Sequence, residues 1–132
     1  MAVRSSQEDF LLRELRKVAE MIARALGFRS KQDLPAARVE IDNAYATLLG
    51  PQAPILRVLD VESVVRLVND SKKLAVLARL SAVDATLAGD TGNDGVRKQQ
   101  LLARAIALAE AATKLDPTDA EAKAVVAELM GR

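Results

Sequence analysis

The chain contains no cysteine and no histidine, and each absence removes a class of chemistry. Without cysteine there is no disulfide framework, no thiol nucleophile and no thiolate metal site. Without histidine there is no imidazole base near neutral pH, no Ser-His or Cys-His nucleophile, and none of the usual zinc arrangements. Aromatic residues are scarce as well, being limited to Phe10, Phe28 and Tyr45. A charge excess of one sign is missing too: Lys and Arg number 19 against 18 Asp and Glu, for a net charge of +1. That balance disfavours a nucleic-acid partner, which requires a strongly basic surface. No apolar run approaches the ~18 residues of a membrane span. The opening MAVRSSQEDF meets Arg4, Glu8 and Asp9 before any apolar stretch, so it lacks the hydrophobic core of a secretory signal. A cytoplasmic protein without a membrane partner is the expectation.

What is present is alanine and leucine, 24 and 19 of the 132 residues. Half of the chain is apolar and 28% is charged, which excludes a disordered segment and favours one self-sufficient domain over residues 1–132. Alanine-rich composition with few aromatics points to close helix-to-helix packing, and an all-α fold follows. Arginine outnumbers lysine 12 to 7, which suits the coding bias of a GC-rich bacterial genome.

The periodicity predicts about six helices. The first spans Gln7 to Leu26, capped by Ser6 and ended by Gly27, with Leu11, Leu15, Val18, Ile22 and Leu26 on one face. Phe10, Leu12, Ala19 and Met21 widen that face, enough for two neighbours or a second chain. The next starts at Asp33 or Leu34, contains Pro35 in its first turn and runs to Leu49, where Gly50-Pro51 and Pro54 stop it. A short turn over Ile55 to Leu59 precedes a helix capped by Asp60 and reaching Asn69. Its β-branched residues make a strand conceivable, but the apolar spacing 61, 64, 65, 68 favours helix.

A fourth long helix begins at Asp70 or Ser71 and carries Leu74, Leu77, Leu80, Ser81, Asp84 and Leu87 in one stripe. The segment Gly89-Asp90-Thr91-Gly92-Asn93-Asp94-Gly95 breaks it. The fifth, Val96 to Leu115, turns Leu101, Leu102, Ala105, Ile106, Ala109, Ala112 and Leu115 inward. Thr118 and Glu121 then form a capping box for a last helix that runs to Met130.

Ala112, Leu115 and Pro117 repeat the spacing of Ala46, Leu49 and Pro51 from 66 residues earlier. With Leu26-Gly27 closing one helix and Leu115-Asp116-Pro117 another, the chain resembles the tetratricopeptide repeat, a unit of two antiparallel helices. The match covers roughly residues 20–53 and again the Leu87-Ala88 to Pro117 region, while residues 55–69 fit neither unit. The Gln7-Glu8-Asp9-Phe10 opening and the helix order are also similar to a group of small uncharacterised bacterial proteins. The tetratricopeptide resemblance implies a right-handed stack of helical hairpins, and a concave side that binds peptides. It puts Met21, Arg24, Phe28 and Lys31 on that side, an apolar and basic set suited to an acidic or amphipathic peptide. The set lacks the lysine-asparagine pair of carboxylate-clamping relatives, since Phe28 stands where an asparagine is wanted.

Other candidate sites fail on their own chemistry. The loop starting at Asp90 has Gly92 where a calcium site needs a side-chain oxygen and Leu101 where it needs a bidentate glutamate. Gly95 is followed by Val96-Arg97-Lys98, which is no phosphate loop. Glu14 and Glu20 among the cations of the first helix argue against docking on an anionic membrane. Asp84 lies on an apolar stripe, where burial would tune a carboxylate, yet no second carboxylate or histidine accompanies it; Arg79, Lys73 and Arg104 are its expected partners. The sequence therefore points to a protein-protein interaction module, with no cofactor, no metal and no enzymatic activity. The alternative is a structural or regulatory homo-oligomer, in its simplest form a homodimer.

Overall fold

A computed structural model describes residues 6–92 and 95–131. All regular structure among them is helical, in the order α1 (Ser6–Ser30), α2 (Leu34–Leu49), a 3-10 turn (Gly50–Gln52), α3 (Ala53–Leu56), α4 (Val61–Val68), α5 (Ser71–Asp90), α6 (Gly95–Leu115) and α7 (Ala120–Met130). Six of these helices exceed a single turn, and α3 is one turn only.

Local chemistry explains most of the boundaries. Asp33, Asp60 and Asp70 each accept a backbone N–H three residues on, from Ala36, Ser63 and Lys73, which starts α2, α4 and α5 where their caps predict. The β-branched α4 is a helix because Asp60 also receives the Ser63 hydroxyl at 2.7 Å and Asn69 ends it in the left-handed conformation at φ 46°. Between α2 and α4 the chain tightens into the 3-10 turn and α3, so the two prolines bend it without making it irregular.

Several expected boundaries move. Helix α1 passes through Gly27 and ends at Ser30, because the left-handed residue is Gln32 at φ 61°. Gln32 N–H donates to Arg29 O and Asp33 N–H to Phe28 O, the paired bonds of a Schellman stop, so a glycine was not needed at the turn. The expected Ser6 cap has its side chain outside the described residues. Helix α5 continues through Gly89 to Asp90, and Asn93 and Asp94 of the following loop lie outside the described residues.

The capping box at α7 is replaced by a different arrangement. Asp119, not Thr118, accepts from Glu121 N and Ala122 N, while Thr118 donates its hydroxyl to Asp116 at 2.6 Å. Asp119 also accepts the Ser71 hydroxyl at 2.8 Å, tying the start of α7 to the start of α5. Asp119→Ala should lower stability by about 1–2 kcal/mol, measured as a urea midpoint shift at unchanged slope.

Helix α5 is the spine. It is buried on nearly every side from Leu74 to Ala88, and α6, α2, α7, α1 and α4 all pack on it. Short connections make α1 with α2, and α5 with α6, antiparallel neighbours. Val18, Ile41, Val64, Leu74, Leu80, Leu108 and Val125 are completely buried in one shared core, which draws on all seven described helices, α3 included through Leu56. Alanines at 75, 78, 105, 109 and 112 are equally buried and let the backbones approach closely. Leu108 joins this inward face of α6, whereas Leu115, expected there, is 43% exposed at the helix end.

Candidate functional site

The most concentrated chemistry lies inside the fold. Asp84 on α5 is 1% exposed, and one of its oxygens accepts from Arg38 Nη1 of α2 at 2.8 Å. The other accepts the Tyr45 hydroxyl, also of α2, at 2.8 Å, with Arg57 Nη2 at 3.8 Å. The Arg57 guanidinium lies 3.9 Å over the Tyr45 ring and pairs with Asp42 at 3.2 Å. Burial, with the adjacent carboxylate, pushes the Tyr45 hydroxyl well above its ordinary pKa of 10.0, so it remains a donor at any working pH. The partners expected for Asp84 from sequence, Arg79, Lys73 and Arg104, are not these. Residues remote in sequence supply them instead, through the packing of α2 on α5 and of the α3 turn on α2.

Both Asp84 oxygens are engaged by donors held in place, and among the described residues no buried side-chain polar atom lacks a hydrogen-bond partner. Each Asp84 oxygen thus accepts one hydrogen bond from a donor on α2. Within the fold Asp84 fastens α2 onto the spine, and through Arg57 it reaches the segment that fits neither repeat unit. Arg104 of α6 completes the fastening, donating to Leu56 O at 2.7 Å and Leu59 O at 2.5 Å. Burial lowers its pKa, but a guanidinium stays charged. Arg104→Met keeps the packing stem and removes both bonds. Hydrogen exchange should then accelerate at the amides of residues 56–68 with α5 and α6 unchanged, because charged hydrogen bonds of this kind contribute about 1.5–3 kcal/mol each.

A groove runs between α1 and α7. Its floor is α5, one wall is the side of α1 bearing Leu12, Ala19, Ile22 and Leu26, and the other is α7 with Glu121, Glu128 and Leu129. Two clefts of about 290 and 620 Å³ run along it and share Ile22 and Arg79. Val76 and Val83 contribute apolar floor. Arg79 bridges from the floor to α7, donating to Glu121 at 2.6 Å with Glu128 at 3.8 Å. At one end Arg29 of α1 pairs with Asp90 of α5 at 2.6 Å, which raises the Arg29 pKa.

Of the four residues expected to bind a peptide, Met21, Arg24 and Phe28 lie elsewhere on α1 and Lys31 lies just past its end. Met21 and Phe28 are half-buried and packed against the main core. Arg24 pairs with Glu40 of α2 at 3.2 Å, and Lys31 is exposed in the turn between α1 and α2. At the pitch of a helix this set stands roughly half a turn around α1 from the groove wall. On α1 the groove residues 12, 15, 19, 22 and 26 were visible in the sequence as one edge of the widened apolar face, and on α5 positions 72, 76, 79, 83 and 86 have the same three-four spacing. What was hidden is which apolar side of α1 stays open.

No described helix is long and apolar enough to cross a membrane. Among the described residues no three carboxylates gather closely enough to hold a metal ion. No family model matches the chain, and it has no significant match among curated proteins or solved structures.

Proposed function

We propose that the chain is a non-catalytic protein-interaction module, built as two tetratricopeptide-like hairpins and binding a partner peptide or protein along the α1-α5-α7 groove. The observation that carries this reading is the groove itself: an apolar-floored channel between helices with no covering element among the described residues. Support for the repeat comes from the packing order, in which α1 meets α2, α2 meets α5, α5 meets α6, and α1, α5 and α7 adjoin in turn. That is the neighbour scheme of stacked hairpins, with α3 and α4 as an inserted strap. An enzymatic role is disfavoured because the two buried carboxylates are both engaged within the fold, Asp84 by Arg38 and Tyr45 and Asp119 by the first amides of α7. We read the protein further as cytoplasmic and bacterial, with no cofactor; cell fractionation checks the compartment.

A homodimer is the second reading, favoured by a different feature. Phe10 is 60% exposed beside a cleft of about 480 Å³, formed by the start of α1, the end of α2 and the start of α5. Light scattering of the purified chain separates the two. A monomer at all concentrations supports the partner-binding module; a concentration-independent dimer, abolished by Phe10→Glu, supports self-association.

A further inference from the structure

We propose that the occupant of the groove is an amphipathic α-helix of a partner protein, whose apolar seam is flanked by acidic residues. This rests on the interaction reading above and adds the partner's form and charge.

The form follows from the walls. The α1 wall carries Leu12, Leu15, Ala19, Ile22 and Leu26, spaced alternately three and four apart, and the α5 floor has the same alternation through Val76, Arg79 and Val83. Such spacing accepts side chains from a third helix by knobs-into-holes packing. An extended peptide would fare worse. Every regular element among the described residues is a helix, so no strand edge is present to pair with its backbone, and amides pressed onto apolar floor would lose their water. A helix satisfies its own amides. From Leu12 to Leu26 the wall is roughly 21 Å long, which matches about four turns of partner helix.

The charge follows from the lining. Arg16, Arg29, Lys72, Arg79 and Lys98 line the groove against only Glu121 and Glu128, although the whole chain is nearly neutral. Arg79 already engages both glutamates and Arg29 engages Asp90. Arg16 and Lys72, both exposed, face the same cleft and make no ion pair among the described residues. Lys72 influences Asp116 only through space. A partner helix with glutamates or aspartates beside its seam complements that end, whereas a basic one would meet like charge.

The test uses two fluorescein-labelled peptides of about 18 residues, with leucines alternately three and four apart, one flanked by glutamates and its twin by lysines. Anisotropy titrations with the full chain should show the acidic peptide binding at least about tenfold tighter than the twin. Arg16→Glu with Lys72→Glu should remove or invert that preference, while Lys114→Glu with Lys123→Glu, away from the groove, should leave it unchanged. Both pairs are exposed, and circular dichroism checks that each variant is folded. Equal or tighter binding of the basic twin, indifference to the Arg16/Lys72 reversal, or no binding by either peptide overturns the proposal. Any of these outcomes leaves the interaction reading standing if a partner still cross-links to the groove, and both fall if none does.

Discussion

Asp84→Ala should cost the fold about 3–5 kcal/mol, lowering the melting temperature by on the order of 10–20 °C. The substitution leaves Arg38 without the acceptor it reaches at 2.8 Å and the Tyr45 hydroxyl buried without a partner. The loss is costly because the buried Tyr45 hydroxyl keeps its desolvation without the bond that offset it, while Arg38, 35% exposed, keeps only the looser Asp42 contact at 3.8 Å. Asp84→Asn retains an acceptor oxygen and the side-chain volume, so its loss should be smaller. Tyr45→Phe combined with Asp84→Ala should destabilise by less than the two single losses added together, by about 1 kcal/mol or more, because both remove the same bond. Thermal and urea denaturation measure all three. A change under about 1 kcal/mol for Asp84→Ala would mean the cluster is not a structural fastener, given the usual size of such losses.

The second large effect lies in the seam between α5 and α6, the most extensive helix pair of the fold. Leu108 and Ala109 are neighbours on α6 and both fully buried, so opposite changes of volume should both destabilise. Leu108→Ala opens a cavity and should cost about 2–5 kcal/mol. Ala109→Leu forces extra side-chain carbons into a close helix contact and should cost about 1–3 kcal/mol, more if the helices must part. Urea midpoints separate these from a surface control such as Ala103→Leu, which is exposed on the same helix and should change little. A stabilising Ala109→Leu would show that the alanine marks an unfilled space instead of a close approach.

The sequence was informative wherever the cause is local. Caps at Asp33, Asp60 and Asp70 work through amides three residues away, so the starts of α2, α4 and α5 could be read directly. The all-helical class followed equally well from alanine, leucine and the three-four spacing. Misplaced boundaries share a different cause. Gly27 read as a stop, yet a glycine inside a helix costs only about 1 kcal/mol, and the Gln32 turn decided the matter. At α7 Asp116 engages Thr118 and leaves Asp119 to cap, and Ser71, 48 residues away in sequence, adds a further bond to it.

The same division governs the sites. That Asp84 stands on an apolar stripe was legible, but its burial and its donors depend on α2 and the residue after α3, at separations no periodicity encodes. The groove posed a harder problem. Helix α1 is apolar on more than one side, and only the packing of α2 against the Met21-Phe28 side, joined by Arg24 and Glu40, leaves the Leu12-Ala19-Leu26 side open.

A photo-cross-linker placed at Ala19 tests the central claim most directly, because that residue is exposed, lines the groove and tolerates a larger side chain facing solvent. A second probe at Ala46, exposed on α2 and away from the groove, serves as the control. Irradiation in cells that naturally express the chain should give a discrete adduct with another protein from the Ala19 probe, lost on Arg16→Glu with Lys72→Glu, and none from Ala46. An adduct from Ala46 alone, an adduct of twice the chain's own mass, or no adduct from Ala19 would contradict a groove that binds a partner protein.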